Sequence, residues 1–140
     1  MRARDEGEES KLLRQILEAW RLSTLDDVVP AANASPPPDF SNLFPTVLAT
    51  ADAGDAVARS VLMQAATELA RLAKLVISRL FAEEGSVPVA MSGGVFRQSA
   101  LVRQVFYNSL RSEYPNASLN STVVEPVKGA LELARKAGRH

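Results

Sequence analysis

An apolar run, Val87-Pro88-Val89-Ala90-Met91, ends in Ser92-Gly93-Gly94, the pattern of a strand feeding a tight loop. A helix is expected from about Arg97, with Leu101, Val102, Val105, Phe106 and Leu110 on one side and Tyr114-Pro115-Asn116 at its end. Ser118 to Val124 reads as a second strand, with Leu119, Ser121 and Val123 on one face and Thr122 and Val124 on the other. Pro126 is then placed to open a last helix. This βαβα order leaves little freedom, because two such strands must lie parallel and be joined by a right-handed crossover. A parallel pair buried on both faces normally belongs to a larger sheet, and no third strand is legible elsewhere in the 140 residues. The expected fold is therefore α/β and helix-rich, with a short parallel β pair that is incomplete on its own. A missing N-terminal half or a partner chain is expected to complete it.

Upstream, the pattern is helical throughout. Leu12, Leu13, Ile16, Leu17 and Trp20 fall on one face of a helix from Ser10 to about Leu22, with Ser10 as its N-cap. Leu25 to Val29 reads as a short helix stopped at Pro30, and residues 31–39, with three successive prolines, as an exposed connector. Phe40, Leu43, Phe44, Val47, Leu48 and Ala51 again recur at helical spacing, Gly54 suits a left-handed turn, and Asp55 can cap the next helix. From Ala56 to about Phe81, Val57, Val61, Leu62, Ala65, Leu69, Leu72, Ala73, Val76, Ile77 and Leu80 predict a wide apolar face at the heart of the core. The division expected is a charged N-terminal segment over residues 1–9, disordered or extended, and one domain over residues 10–140.

The composition removes whole classes of function. Lys plus Arg and Asp plus Glu both total 16, so no long-range field favours nucleic acid or an anionic membrane surface. Cysteine is absent, and the single histidine is His140, which excludes disulfides, thiolate nucleophiles and imidazole or thiolate metal clusters. The charged start lacks the apolar core of a secretory signal, so a cytoplasmic location is expected. Gln64, Glu68, Arg71, Lys74 and Arg79 interrupt the longest apolar stretch, which argues against a membrane span.

A ligand site is expected at Ser92-Gly93-Gly94-Val95-Phe96, because open α/β sheets collect ligands at the carboxyl ends of their strands. Paired glycines there allow the main chain to approach a flat ring, a ribose or a phosphate. A tight strand-to-helix turn with nothing bound explains the same glycines equally well. Arg97 and Gln98 come next and could reach ribose or phosphate, although charged residues in a first helical turn are usually solvated. Asp26-Asp27 and Glu83-Glu84 read as solvated caps rather than as a catalytic pair.

The ordered series, namely Gly54-Asp55 heading a long helix, an apolar strand, Gly93-Gly94-Val95-Phe96, a helix, a strand and Pro126-Val127-Lys128-Gly129-Ala130, resembles the BadF/BadG/BcrA/BcrD ATPase family. That family includes N-acetylglucosamine kinases and belongs to the sugar kinase and actin superfamily. The resemblance implies the C-terminal part of an actin-like ATPase (ribonuclease H-like) domain. It places adenine and ribose of ATP or ADP against Ser92, Gly93, Gly94 and Val95, with Arg97 nearby and Phe96 in the core. Gly129 and Ala130 match the start of the last helix, where small residues would permit close packing beside the nucleotide. Asp55 matches the family's Gly-Asp. The superfamily's N-terminal phosphate loop, second glycine-rich phosphate segment and catalytic Asp have no counterpart here, since Gly7 is the only glycine before Gly54. The chain is thus expected to supply an adenosine-binding wall and no phosphoryl transfer alone, with Mg²⁺ held by the absent portion. The alternative is a noncatalytic helical interaction module with a vestigial loop. Exposed sheet edges and apolar surface predict a homo-oligomer.

Overall fold

The computed structural model describes residues 10–81 and 86–138. The N-terminal nine residues, the Glu83-Glu84 pair and His140 lie outside the described residues. Two compact units are formed, Met1–Gln64 and Ala65–His140.

In the first unit, α1 spans Lys11–Trp20 and is capped by Ser10, whose Oγ accepts the Leu12 N–H at 3.1 Å. Arg21 closes it in the left-handed region (φ 54°), and its N–H reaches the Glu18 carbonyl at 3.1 Å. Trp20 meets Phe40 edge-on, with ring centroids 5.6 Å apart. A short 3-10 turn over Leu25–Asp27 leads into α2, Val28–Ala32. Pro30 does not stop this helix as expected. It stands in the first turn, where the missing N–H has no intrahelical acceptor and the fixed φ suits the helix. The connector consequently begins at Asn33, and it contains a cis Ser35–Pro36 bond. A second 3-10 turn, Phe40–Leu43, precedes α3, Phe44–Asp52, which lies against α1. Thr50 is buried on α3, and its hydroxyl donates to the Thr46 carbonyl at 2.7 Å. Gly54 then takes φ +90°, the left-handed turn for which glycine has no Cβ penalty.

The 25-residue helix α4, Ala56–Leu80, forms as its pattern predicts, but its buried stripe is narrower. Ala58, Leu62, Ala66, Ala70 and Ile77 are buried, whereas Val61, Leu72, Val76 and Leu80 are exposed. The apolar residues wrap too far round the helix for one layer of neighbours to cover them all.

In the second unit, β1 is Pro88–Val89 and β2 is Ser118–Leu119, paired in parallel with Pro88 opposite Ser118 and Val89 opposite Leu119. The Ser118 and Asn120 N–H groups donate to the Val87 and Val89 carbonyls at 2.9 and 3.1 Å. The strands are shorter than the sequence suggests. Asn120 turns the chain, its Oδ1 accepting the Thr122 N–H at 3.0 Å, and pairing resumes only at a parallel bridge between Ser92 and Val124. Among the described residues the sheet has these two strands.

Between them the helix divides in two. α5 spans Gly94–Gln98, three residues earlier than expected, and α6 spans Ala100–Glu113. Ser99 adopts an extended conformation and caps α6, its Oγ accepting the Val102 N–H at 3.2 Å. Ala70, Ile77, Met91, Phe106 and Leu110 form the core, with Val89, Phe96 and Leu119 packed against it. Each aliphatic side chain buried there contributes on the order of 1.5 to 3 kcal/mol, more than the surface ion pair Lys74–Glu113 can add. α7, Pro126–Ala137, starts at its proline as expected, but every residue in it is exposed. No helix among the described residues is long and apolar enough to cross a membrane.

Candidate functional site

The glycine turn sits where β1 gives way to α5. Met91, just before it, is buried, and its carbonyl accepts the Val124 N–H at 2.8 Å, which ties this end of β1 to the segment after β2. Ser92 is exposed in the bridge with Val124. Gly93 has φ +99° and ψ 170°, a combination closed to almost any other residue, and its carbonyl accepts the Arg97 N–H at 3.1 Å. A Cβ placed on Gly93 would meet no heavy atom within 4 Å. The corner is thus open rather than filled by side chains, and the main chain is bare where a flat ligand could lie. Gly94 is half-buried, and a Cβ there would meet only the flexible end of Gln98, at 3.7 Å.

Of the residues named from sequence, Ser92, Gly93, Gly94, Val95 and Arg97 are brought onto this one turn. Val95 and Arg97 are exposed on α5, while Phe96 turns inward and meets Phe106 edge-on at 5.0 Å. Gly129 stands apart. It lies on the exposed α7, with open space where its Cβ would go, so the close packing expected at Gly129 and Ala130 is not made among the described residues. No described element covers the apolar side of α7.

Asp55 is accounted for as a cap. Its carboxylate accepts the Ala58 N–H at 2.9 Å, the Lys11 N–H at 2.8 Å and the Ser10 hydroxyl at 3.2 Å, joining the heads of α1 and α4. Burial pushes its pKa up, but these donors outweigh burial and hold it below the usual carboxylate value. Asp27 is likewise held low, by the hydroxyl and N–H of Thr24 at 2.7 and 3.0 Å. Both carboxylates are satisfied locally, as helix-terminal carboxylates usually are.

A shallow depression of about 430 Å³ opens over the strand pair, lined by Pro88, Val89, Ala90, Ser118, Leu119 and Asn120. It contains none of the nucleotide-site residues named from sequence, only residues of the two strands, Ala90 and Asn120. Two others were missed: Ser99, which breaks the expected helix, and Arg103, whose guanidinium donates to the Phe96 and Arg97 carbonyls. The serine is a strong N-cap type, which is a signal present in the sequence. Arg103 gives none, because its register looks like solvated helix surface.

Comparison with known proteins agrees with the ordered motifs. The chain is 27% identical over 139 residues to the N-acetyl-D-glucosamine kinase of Dictyostelium discoideum, covering 96% of this chain and 44% of that protein. The chain therefore spans less than half the length of this relative. No solved structure matches the present chain. The sequence model of the BadF/BadG/BcrA/BcrD ATPase family matches residues 3–134, nearly the whole chain, and the protein belongs to that family.

Proposed function

We propose that this chain is a nucleotide-binding part of an ATP-dependent sugar kinase, acting on an N-acetylglucosamine-like acceptor, or of an ATPase of the same family. The fold is then the C-terminal part of an actin-like ATPase domain. The observation that carries the reading is the open corner at Gly93, at the carboxyl end of a parallel strand, the place where α/β sheets hold ligands. Adenine and ribose lie against the main chain of Ser92, Gly93, Gly94 and Val95, with Arg97 within reach of ribose or phosphate and Gly129 facing the same nucleotide once α7 is covered. ATP, when bound, supplies the γ-phosphoryl group for in-line transfer to an acceptor hydroxyl, with ADP as the leaving group. This chain's residues bind and orient the nucleoside. Phosphate loops, Mg²⁺ ligands and a general base come from further polypeptide, a missing N-terminal half or a partner chain, so the 140 residues alone transfer no phosphoryl group. A cytoplasmic setting fits an ATP-dependent reaction.

Exposed Leu131 and Leu133 on α7, with Leu72 and Val76 on α4, support association of the isolated chain with itself until that polypeptide is present. The same exposure favours the second reading, a noncatalytic helical module whose glycine turn is vestigial. Calorimetric titration with ADP separates the two. The first reading expects weak binding that disappears in Gly94→Val, whose Cβ would meet only the end of the Gln98 side chain, whereas no binding by the unsubstituted chain supports the second.

A further inference from the structure

α5 has five residues, too few to be stable as an isolated helix, yet it carries the glycine turn on its first residue. Its position is set from outside at three points. At its start, the Ser92–Val124 bridge holds the strand end. In its middle, Phe96 is seated on Phe106 in the core. At its end, the carbonyls of Phe96 and Arg97 have no partner of their own along a helix that stops at Gln98, and the Arg103 guanidinium of α6 takes both, the second at 3.1 Å. A cation at a helix C-terminus is favoured by the helix dipole as well as by the hydrogen bonds. Ser99 allows this geometry. Buried and extended, it ends α5 with its N–H on the Val95 carbonyl at 3.0 Å and starts α6, so that Arg103, one turn on, faces back to the helix just ended.

We propose that Arg103 is a positioning residue for the glycine turn: by clamping the last carbonyls of α5 to α6, it holds the main chain from Gly93 onward in the shape that receives the adenosine part of a nucleotide. Arg103 does not touch the ligand. The inference rests on the nucleotide reading for its ligand, and on the hydrogen bonds of this unit for the clamp itself.

The test is paired NMR hydrogen exchange and ADP titration on the 140-residue chain and on Arg103→Met and Arg103→Lys. Met keeps the aliphatic length and removes the donors. Exchange at the Arg97 and Ser99 amides, which close α5 onto Gly93 and Val95, should quicken about tenfold in Arg103→Met, as expected for loss of a charge-assisted hydrogen bond. The Leu110 amide in the α6 core should not change. ADP affinity should fall with the same variant, and Arg103→Lys should restore part of both effects. Unchanged exchange at Arg97 and Ser99 in Arg103→Met overturns the clamp. Faster exchange with undiminished ADP affinity overturns its bearing on the ligand. An unsubstituted chain that binds no ADP sinks the nucleotide reading, while the exchange rates alone still decide whether Arg103 holds the turn.

Discussion

α6 and α7 each come after a strand of the same βαβα unit, and both carry apolar residues at helical spacing, yet they end in opposite circumstances. α6 buries Val102, Phe106 and Leu110, whereas on α7 Val127, Leu131 and Leu133 are 69%, 53% and 71% exposed. Their heads differ too. Ser99 caps α6 with its side chain, while Glu125, at the N-cap position of α7, makes no such bond. Periodicity therefore specifies that a helix forms and which side is apolar, but burial depends on whether a partner surface exists. α6 has one in α4 and the strands, and α7 has none among the described residues.

The contrast is sharpest in stability. Phe106→Ala removes a ring from the core and should cost about 3–5 kcal/mol, enough to unfold much of the unit, whereas Leu131→Ala should stay within about 0.5 kcal/mol by urea denaturation. Equal costs would mean that α7 is packed in solution. Capping gives a middle-sized effect. Asp55→Ala at the head of α4 should cost about 1 kcal/mol at neutral pH, and a Glu125→Ala change on α7 much less. Because the Asp55 pKa is depressed in the folded chain, its contribution is present above the reference value of 3.8 and is lost as the pH falls through the lower folded value. The Asp55→Ala protein should consequently lose less stability on acidification below pH ~4 than the unsubstituted chain. The smallest effect on folding belongs to Leu133→Ser, which should leave the melting temperature nearly unchanged while shifting gel-filtration elution toward monomer.

Much of this fold is legible in the residues themselves. The capped start of α1 at Ser10, the left-handed Gly54, the Asp55 cap and Pro126 opening α7 arise from local chemistry that one or two residues specify, and the parallel pair follows from the βαβα order. The features that could not be read depended on competition between neighbours. Pro30 looked like a stop because its place in the first turn of α2 depends on where the preceding 3-10 turn ends. Ser99 is not legible as a break because it falls inside a helix expected from about Arg97, whose apolar positions begin only at Leu101. The second strand is shorter than its sequence pattern because Asn120 can either continue a strand or turn it, and here its side chain captures the Thr122 N–H. At the site, the bare corner was visible as two glycines, but its openness and the Arg103 clamp are properties of packing.

Backbone amide NMR of the 140-residue chain titrated with ADP decides whether a nucleoside lies on the main chain between Ser92 and Arg97. Saturable shifts concentrated at Gly93, Gly94 and Val95, spreading to Arg97 and absent from Gly94→Val, are the predicted result. Shifts confined to the depression over Pro88 and Asn120, or no shifts at all, would contradict it.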